Sequence, residues 1–173
     1  MINATKWDDR IAIGGVPCNE DLRQLGQIGY KTVVDLREDR EIFGAYVAKR
    51  ATAVEMAYIH VPIRRSAVST NDLVLFYETV FEKAKAPMYI FSRLGKKPLA
   101  LLLLFNAVAK ATDAERVFVE ASYFGLDIAN DICIRSLVID LLEVGDQGVI
   151  LPLVQKYRPD LLEGRIPKQK NKP

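Results

Sequence analysis

Apolar residues fall along the first part of the chain in short blocks of strand length separated by longer stretches at helical spacing. Ile11 to Ile13 is a short apolar run closed by Gly14 and Gly15, and Pro17 to Asn19 supplies turn chemistry with Asn19 as the expected helix N-cap. Leu22, Leu25 and Ile28 recur at helical spacing up to Gly29, which suits a C-terminal cap, and Lys31 to Leu36 follows as a buried strand. Glu41 to Val54 is alanine-rich with a helical pattern. Ala57 to Val61 reads as a strand halted by Pro62, since proline cannot donate to a ladder. Thr70 or Asn71 is expected to cap the next helix, whose apolar positions Leu73, Leu75, Phe76, Val80 and Phe81 form one face up to Lys85, before Pro87 breaks it. Met88 to Phe91 is too short for a helix, whereas Leu99 to Val108 is long enough for one.

Strands alternating with helices in this way predict an α/β fold with a mainly parallel central sheet flanked by helices. Beyond Thr112 the pattern is helical only: Asp113 to Phe124, then Ile128 to Val144, then a short segment around Val149 to Tyr157. The expected organisation is one domain over residues 1–160, with an α/β part (1–112) and a helical C-terminal extension (113–160). Residues 161–173 are expected to form a basic, disordered tail carrying Lys168, Lys170 and Lys172.

Composition narrows the function classes. The 173 residues are 50% hydrophobic and 27% charged, the balance of a chain with a real core. The formal charge is only +2, too small for a whole-molecule field that would gather nucleic acid. The longest apolar stretch, Pro98 to Phe105, is well short of the roughly 18 to 20 residues that span a bilayer, so no transmembrane segment is expected. The first ten residues lack the pattern of a secretory leader, which makes cytoplasmic residence the expectation. Cys18 and Cys133 have no Cys-x-x-Cys spacing, and His60 is the only histidine, so neither a metal site nor another cofactor is expected. Cys133 lies in the apolar pattern of Ile132, Ile134, Leu137 and Val138 and reads as core, and Cys18 reads as a packed small residue.

The candidate chemistry lies between Phe91 and Leu99. A loop from a buried strand to the N-terminus of a buried helix turns several backbone N–H groups toward one point, with the positive end of the helix dipole behind them. Gly95 permits a sharp turn there, and Arg93, Lys96 and Lys97 add cationic charge that a plain crossover does not need. The alternative reading is an ordinary strand-to-helix loop with solvated lysines.

Phe91-Ser92-Arg93-Leu94-Gly95-Lys96-Lys97-Pro98 resembles a degenerate form of the cysteine-dependent phosphatase signature His-Cys-x-x-Gly-x-Arg-Ser/Thr. Gly15-Val16-Pro17 with Glu20-Asp21-Leu22, the run Gly29 to Arg37, Glu41, and Tyr58 to Ile63 are also similar to that superfamily. The likeness points to the bacterial dual-specificity-like phosphatases found alone or fused to metallo-hydrolases, the beta-lactamase-hydrolase-like phosphatase family, and covers roughly Trp7 to Gly125. It implies a phosphatase-like fold, with phosphate, sulfate or a phosphorylated ligand at Ser92, Arg93, Leu94, Gly95, Lys96 and Lys97. By the same resemblance Ser92 stands where the family has its cysteine, Phe91 where it has histidine, Lys97 where it has the phosphate-clamping arginine, and Pro98 where it has a hydroxyl.

A loop of N–H dipoles can hold a thiol as thiolate, but a serine hydroxyl has no such rescue and needs an adjacent base. His60 reads as structural. The family's acid loop corresponds to Arg64 to Thr70, where Asp72 is the nearest carboxylate and equally suits the first turn of a helix; Arg64 and Arg65 could add charge to the pocket rim. Three functions are therefore expected in descending order. The first is a pseudophosphatase that binds or regulates through a phosphorylated ligand. The second is a weak phosphoester hydrolase using Ser92 or a loop-held water, with Asp72 as acid. The third is an assembly protein offering the helical part and the tail to a protein partner.

Overall fold

The computed structural model describes residues 4–39, 45–64, 68–144 and 147–163. The expected helix start at Glu41, the rim residue Arg65, Gly145 and the basic tail lie outside the described residues. The chain divides into two compact units, Met1–Leu99 and Ala100–Pro173.

The first unit is built on a five-stranded sheet in the order β1-β2-β5-β3-β4. Its strands are β1 (Ala4–Lys6), β2 (Ile11–Gly14), β3 (Thr32–Asp35), β4 (Ala57–His60) and β5 (Met88–Phe91). Four of them run parallel, and β5 is inserted between β2 and β3 so that Tyr89 lies opposite both Ala12 and Val33. Every residue of β2, β3 and β5 is buried, which is why each reads in the sequence as an unbroken apolar block rather than an alternation. The mainly parallel sheet flanked by helices is the fold the alternating pattern predicts.

The antiparallel β1 is an addition to that expectation. It pairs Ala4 with Gly14 and Lys6 with Ala12, after a turn in which Asp8 Oδ1 accepts from the backbone N–H groups of Arg10 and Ile11, each at 2.8 Å. Two half-buried residues and an exposed one carry no periodicity to detect.

Helices α1 (Asn19–Gln27) and α2 (Tyr46–Ala53) cover one face of the sheet. Leu22, Leu25, Val47 and Ala51 pack there with Ala12, Val33, Tyr89 and Phe91 in one buried cluster. The third helix, α3 (Thr70–Glu78), passes into a wider i→i+5 turn over Thr79–Lys83 before β5. Both sequence-assigned caps move by a residue or two. Cys18, not Asn19, precedes α1, because the Asp21 carboxylate three positions on accepts the Cys18 N–H at 2.8 Å. Ser69, not Thr70 or Asn71, caps α3: its hydroxyl accepts from Asp72 N–H at 3.2 Å while Asp72 Oδ2 accepts from Ser69 N–H at 2.9 Å.

Tyr77 in α3 is fully buried, and burial pushes its hydroxyl pKa far above the ordinary value of 10.0. In the unfolded chain the phenol ionises normally, so this stabilisation is complete below pH 10 and is lost as pH rises beyond it. Burial raises the Tyr58 and Tyr89 hydroxyls in the same direction. Urea melts on both sides of that pH should show stability falling on the alkaline side. Tyr77→Phe should flatten the fall by about 1.4 kcal/mol per pH unit, the value of one proton.

Helix α4 (Lys96–Lys110) begins at the end of the first unit and runs into the second. The second unit also contains α5 (Ala114–Tyr123), α6 (Ile132–Ile139) and α7 (Gln147–Tyr157). Their buried positions include Val117 and Ala121, Leu137 and Val138, and Ile150 and Val154. Two residues assigned to this core by pattern are placed differently. Ile132 is 82% exposed in the first turn of α6, and Cys133 is only half-buried. No described helix is long and apolar enough to cross a membrane.

Candidate anion site at the end of the central strand

Because β5 lies between β2 and β3, the chain leaves the middle of the sheet at Phe91, at the C-terminal end of its parallel strands. This is the place in an open α/β sheet where neighbouring loops diverge and leave a crevice. Ser92 to Gly95 form the turn there, and α4 starts at Lys96, so the positive end of a 15-residue helix stands at the loop.

The loop is fastened to β2. Ser92 N–H donates to Gly14 O at 3.3 Å, and Gly15 and Leu94 form an isolated antiparallel bridge. Gly95 has φ +78°, and a Cβ built on it would meet the Gly14 carbonyl carbon at 2.9 Å, so the turn requires glycine on two counts. The Gly15 carbonyl in turn accepts from the Tyr89 hydroxyl at 2.7 Å.

The sequence-selected residues occupy distinct places around this turn. Ser92 is buried, and its Oγ accepts from Gly95 N–H at 3.2 Å. Arg93 and Leu94 are exposed at the mouth, Leu94 by 62%, and Lys96 is half-buried. Lys97 is buried, and its Nζ donates to Ile63 O at 2.6 Å and to Leu36 O at 3.2 Å. Its charge therefore fastens the segments that follow β3 and β4 to the foot of the anion loop. Asp72 stands on α3 in the reciprocal bonds of the cap, and Arg64 is exposed.

His60 ends β4 with its Nε2–H donating to Arg37 O at 2.8 Å, since a carbonyl can only accept. Its Nδ1 lies 3.8 Å from Asp39 Oδ1. Among the described residues no carboxylate, imidazole or amine hydrogen-bonds Ser92 Oγ. No group of three or more His, Cys, Asp or Glu side chains gathers as a metal site among them either.

A charged network lies next to the loop. Asp35 is completely buried and holds Arg37 by Nε and by Nη2, the latter at 2.6 Å, while the Tyr58 hydroxyl donates to the same carboxylate at 2.8 Å. The hydrogen bond to Asp35 raises the Arg37 pKa, and burial followed by the Asp35 bond raises that of Tyr58. The Arg37 guanidinium carbon lies 5.2 Å from the Phe91 ring centroid, directly before Ser92 in sequence. The motif Asp35-Leu36-Arg37 is visible in the sequence, but only the fold shows that it forms a bidentate pair and lies against Phe91.

The fold that carries this loop is shared with solved phosphatase structures. The yeast PP-IP phosphatase Siw14 core, solved with citrate, superposes with a TM-score of 0.70 at 16% identity, covering 93% of this chain and 94% of its own. A cysteine-to-serine variant of P. aeruginosa TpbA, solved in complex with pTyr, gives a TM-score of 0.68 at 15% identity over 88% and 91% of the two chains. No curated protein matches the sequence. The chain belongs to the family described as DSP-PTPase phosphatase fused to NAD+ kinase, whose model matches residues 2–114. The sequence motifs lead to the same superfamily, and the family match names its NAD+ kinase-fused branch.

Proposed function

We propose that this chain is a pseudophosphatase: a phosphatase-fold protein that binds phosphate, sulfate or a phosphorylated ligand at Ser92 to Lys97 without forming a covalent intermediate. The observation that carries this reading is the buried Ser92 hydroxyl at the focus of the turn, bonded by Gly95 N–H and by no basic side chain among the described residues. A hydroxyl starts far above neutral in pKa and attacks only when a base removes its proton, whereas the same turn suits an anion that needs N–H dipoles and a helix end. Arg93 and Lys96 add charge at the mouth. Lys97 adds charge from beneath while its amine bonds the Leu36 and Ile63 carbonyls. A hydrolytic reading would draw on Asp72 as acid, and the two capping bonds of Asp72 favour its structural role.

The test pairs turnover of a generic aryl phosphate with calorimetric titration of inorganic phosphate. The natural chain should bind phosphate saturably and show no turnover, and Ser92→Asp should weaken binding at least about tenfold by placing a like charge at the focus. Hydrolysis by the natural chain that Ser92→Ala abolishes would overturn the proposal and make Ser92 a working nucleophile.

A further inference from the structure

Gly14 and Gly15 form the seat on which the anion loop rests, and neither has a side chain to hold it in place. Ser92 N–H donates to Gly14 O at 3.3 Å, Leu94 bridges to Gly15, and a Cβ at Gly95 would stand 2.9 Å from the Gly14 carbonyl carbon. A Cβ at Gly15 would lie 3.4 Å from Arg93 O. The loop therefore takes its position from two glycine backbones in direct contact with it. Glycine has the widest backbone freedom of any residue, so such a seat needs fastening from outside.

One side chain among the described residues hydrogen-bonds the pair: the Tyr89 hydroxyl donates to Gly15 O at 2.7 Å. Tyr89 is itself firmly held. It lies within β5 opposite both Ala12 and Val33 and is 2% exposed. Its ring joins Leu22, Leu25 and Val47 in the buried cluster and stacks on Phe91, with the centroids 6.0 Å apart. These apolar neighbours would accept a phenylalanine ring equally well, so the hydroxyl serves its bond to Gly15 and not the packing. Burial first, and the Asp21 carboxylate second, raise its pKa, which keeps the proton on the oxygen and the donor in place across the neutral range.

We infer that Tyr89 is a positioning residue for the anion site: through Gly15 it holds the Ser92 to Gly95 turn in its anion-binding shape without touching the anion. The inference rests on the reading of that turn as a phosphate site. A ring of N–H dipoles already in place binds an anion more tightly than one that must be ordered on binding. Loss of the hydroxyl frees the Gly15 carbonyl, and the turn laid against Gly14 and Gly15 loosens with it.

The experiment is calorimetric titration of inorganic phosphate into the natural chain, Tyr89→Phe and Tyr77→Phe, each with a urea melt. Tyr89→Phe should remain folded and bind phosphate about fivefold more weakly, the equivalent of one neutral hydrogen bond. Tyr77→Phe removes the same atom from another fully buried ring of the first unit, on α3, and should bind phosphate as the natural chain does. A merely structural hydroxyl would lower the urea midpoint of Tyr89→Phe and leave the affinity of the folded protein unchanged, and that result would overturn the inference. So would an equal loss of affinity in Tyr77→Phe. A natural chain that is folded and does not bind phosphate would instead overturn the reading of the turn as an anion site, and the role of Tyr89 with it.

Discussion

Asp35→Ala should destabilise the protein by about 3–5 kcal/mol, the usual cost of removing one partner from a buried ion pair. The side chain is completely buried and accepts from the Arg37 backbone N–H at 2.9 Å, from Arg37 Nε and Nη2, and from the Tyr58 hydroxyl. Without it the Arg37 guanidinium, which cannot lose its proton, remains against Phe91 with no counter-charge in its old place. A typical domain has only about 5–15 kcal/mol in total, so the variant should melt far below the natural chain. The network interpretation makes a sharper demand. Asp35→Leu combined with Arg37→Met removes both charges and should recover most of the loss, because the attraction within a buried pair does little more than offset its own desolvation. Urea midpoints for Asp35→Leu, Arg37→Met and the double close the cycle. An Asp35→Ala change within about 1 kcal/mol of the natural chain would show that the pair does not hold the ends of β3 and β4 together.

How much of this was legible in the sequence depends on whether the cause was local. Met88 to Phe91 could be read as a buried strand because both faces of a central parallel strand are covered, which makes four consecutive apolar residues the only workable pattern. The turn after it was equally legible, since Gly95 followed by a long apolar helix is a statement about neighbouring residues. The caps failed by a residue or two for a local reason that was overlooked: in Cys18-x-x-Asp21 and Ser69-x-x-Asp72 the carboxylate three positions on decides which residue is the cap. Lys97 was different in kind. Its spacing from Ser92 placed its charge at the loop, but its bonded partners, the Leu36 and Ile63 carbonyls, are 61 and 34 residues away, and no pattern within the helix encodes them. The same holds for Arg37, whose motif was visible while the Tyr58 hydroxyl that joins it on the Asp35 carboxylate depends on where β4 comes to rest.

Gly95→Ala tests the site and the fold together. The backbone at φ +78° costs a non-glycine residue about 1–2 kcal/mol. The new Cβ would also lie 2.9 Å from the Gly14 carbonyl carbon and 3.0 Å from its Cα. These are backbone atoms of a strand paired with β1 on one side and β5 on the other, so they cannot swing aside as a flexible side chain would. Overlap of this kind adds about 1–3 kcal/mol, and the expected total is about 3 kcal/mol by urea denaturation. Gly29 supplies the control: it also has positive φ, at +94°, but a Cβ placed there would have nothing within 4 Å, so Gly29→Ala should cost only the conformational part, about 1–2 kcal/mol. The difference between the two variants isolates the contact with β2. Phosphate affinity separates them further, because the loop can relieve the Gly95→Ala overlap only by moving away from Gly14, which carries the Gly95 N–H off Ser92 Oγ and opens the ring of dipoles. Calorimetry should therefore show phosphate binding weakened more than about tenfold in Gly95→Ala and unchanged in Gly29→Ala. Equal phosphate affinity in the two variants would mean that the turn at Gly95 serves packing alone and that the anion is held elsewhere.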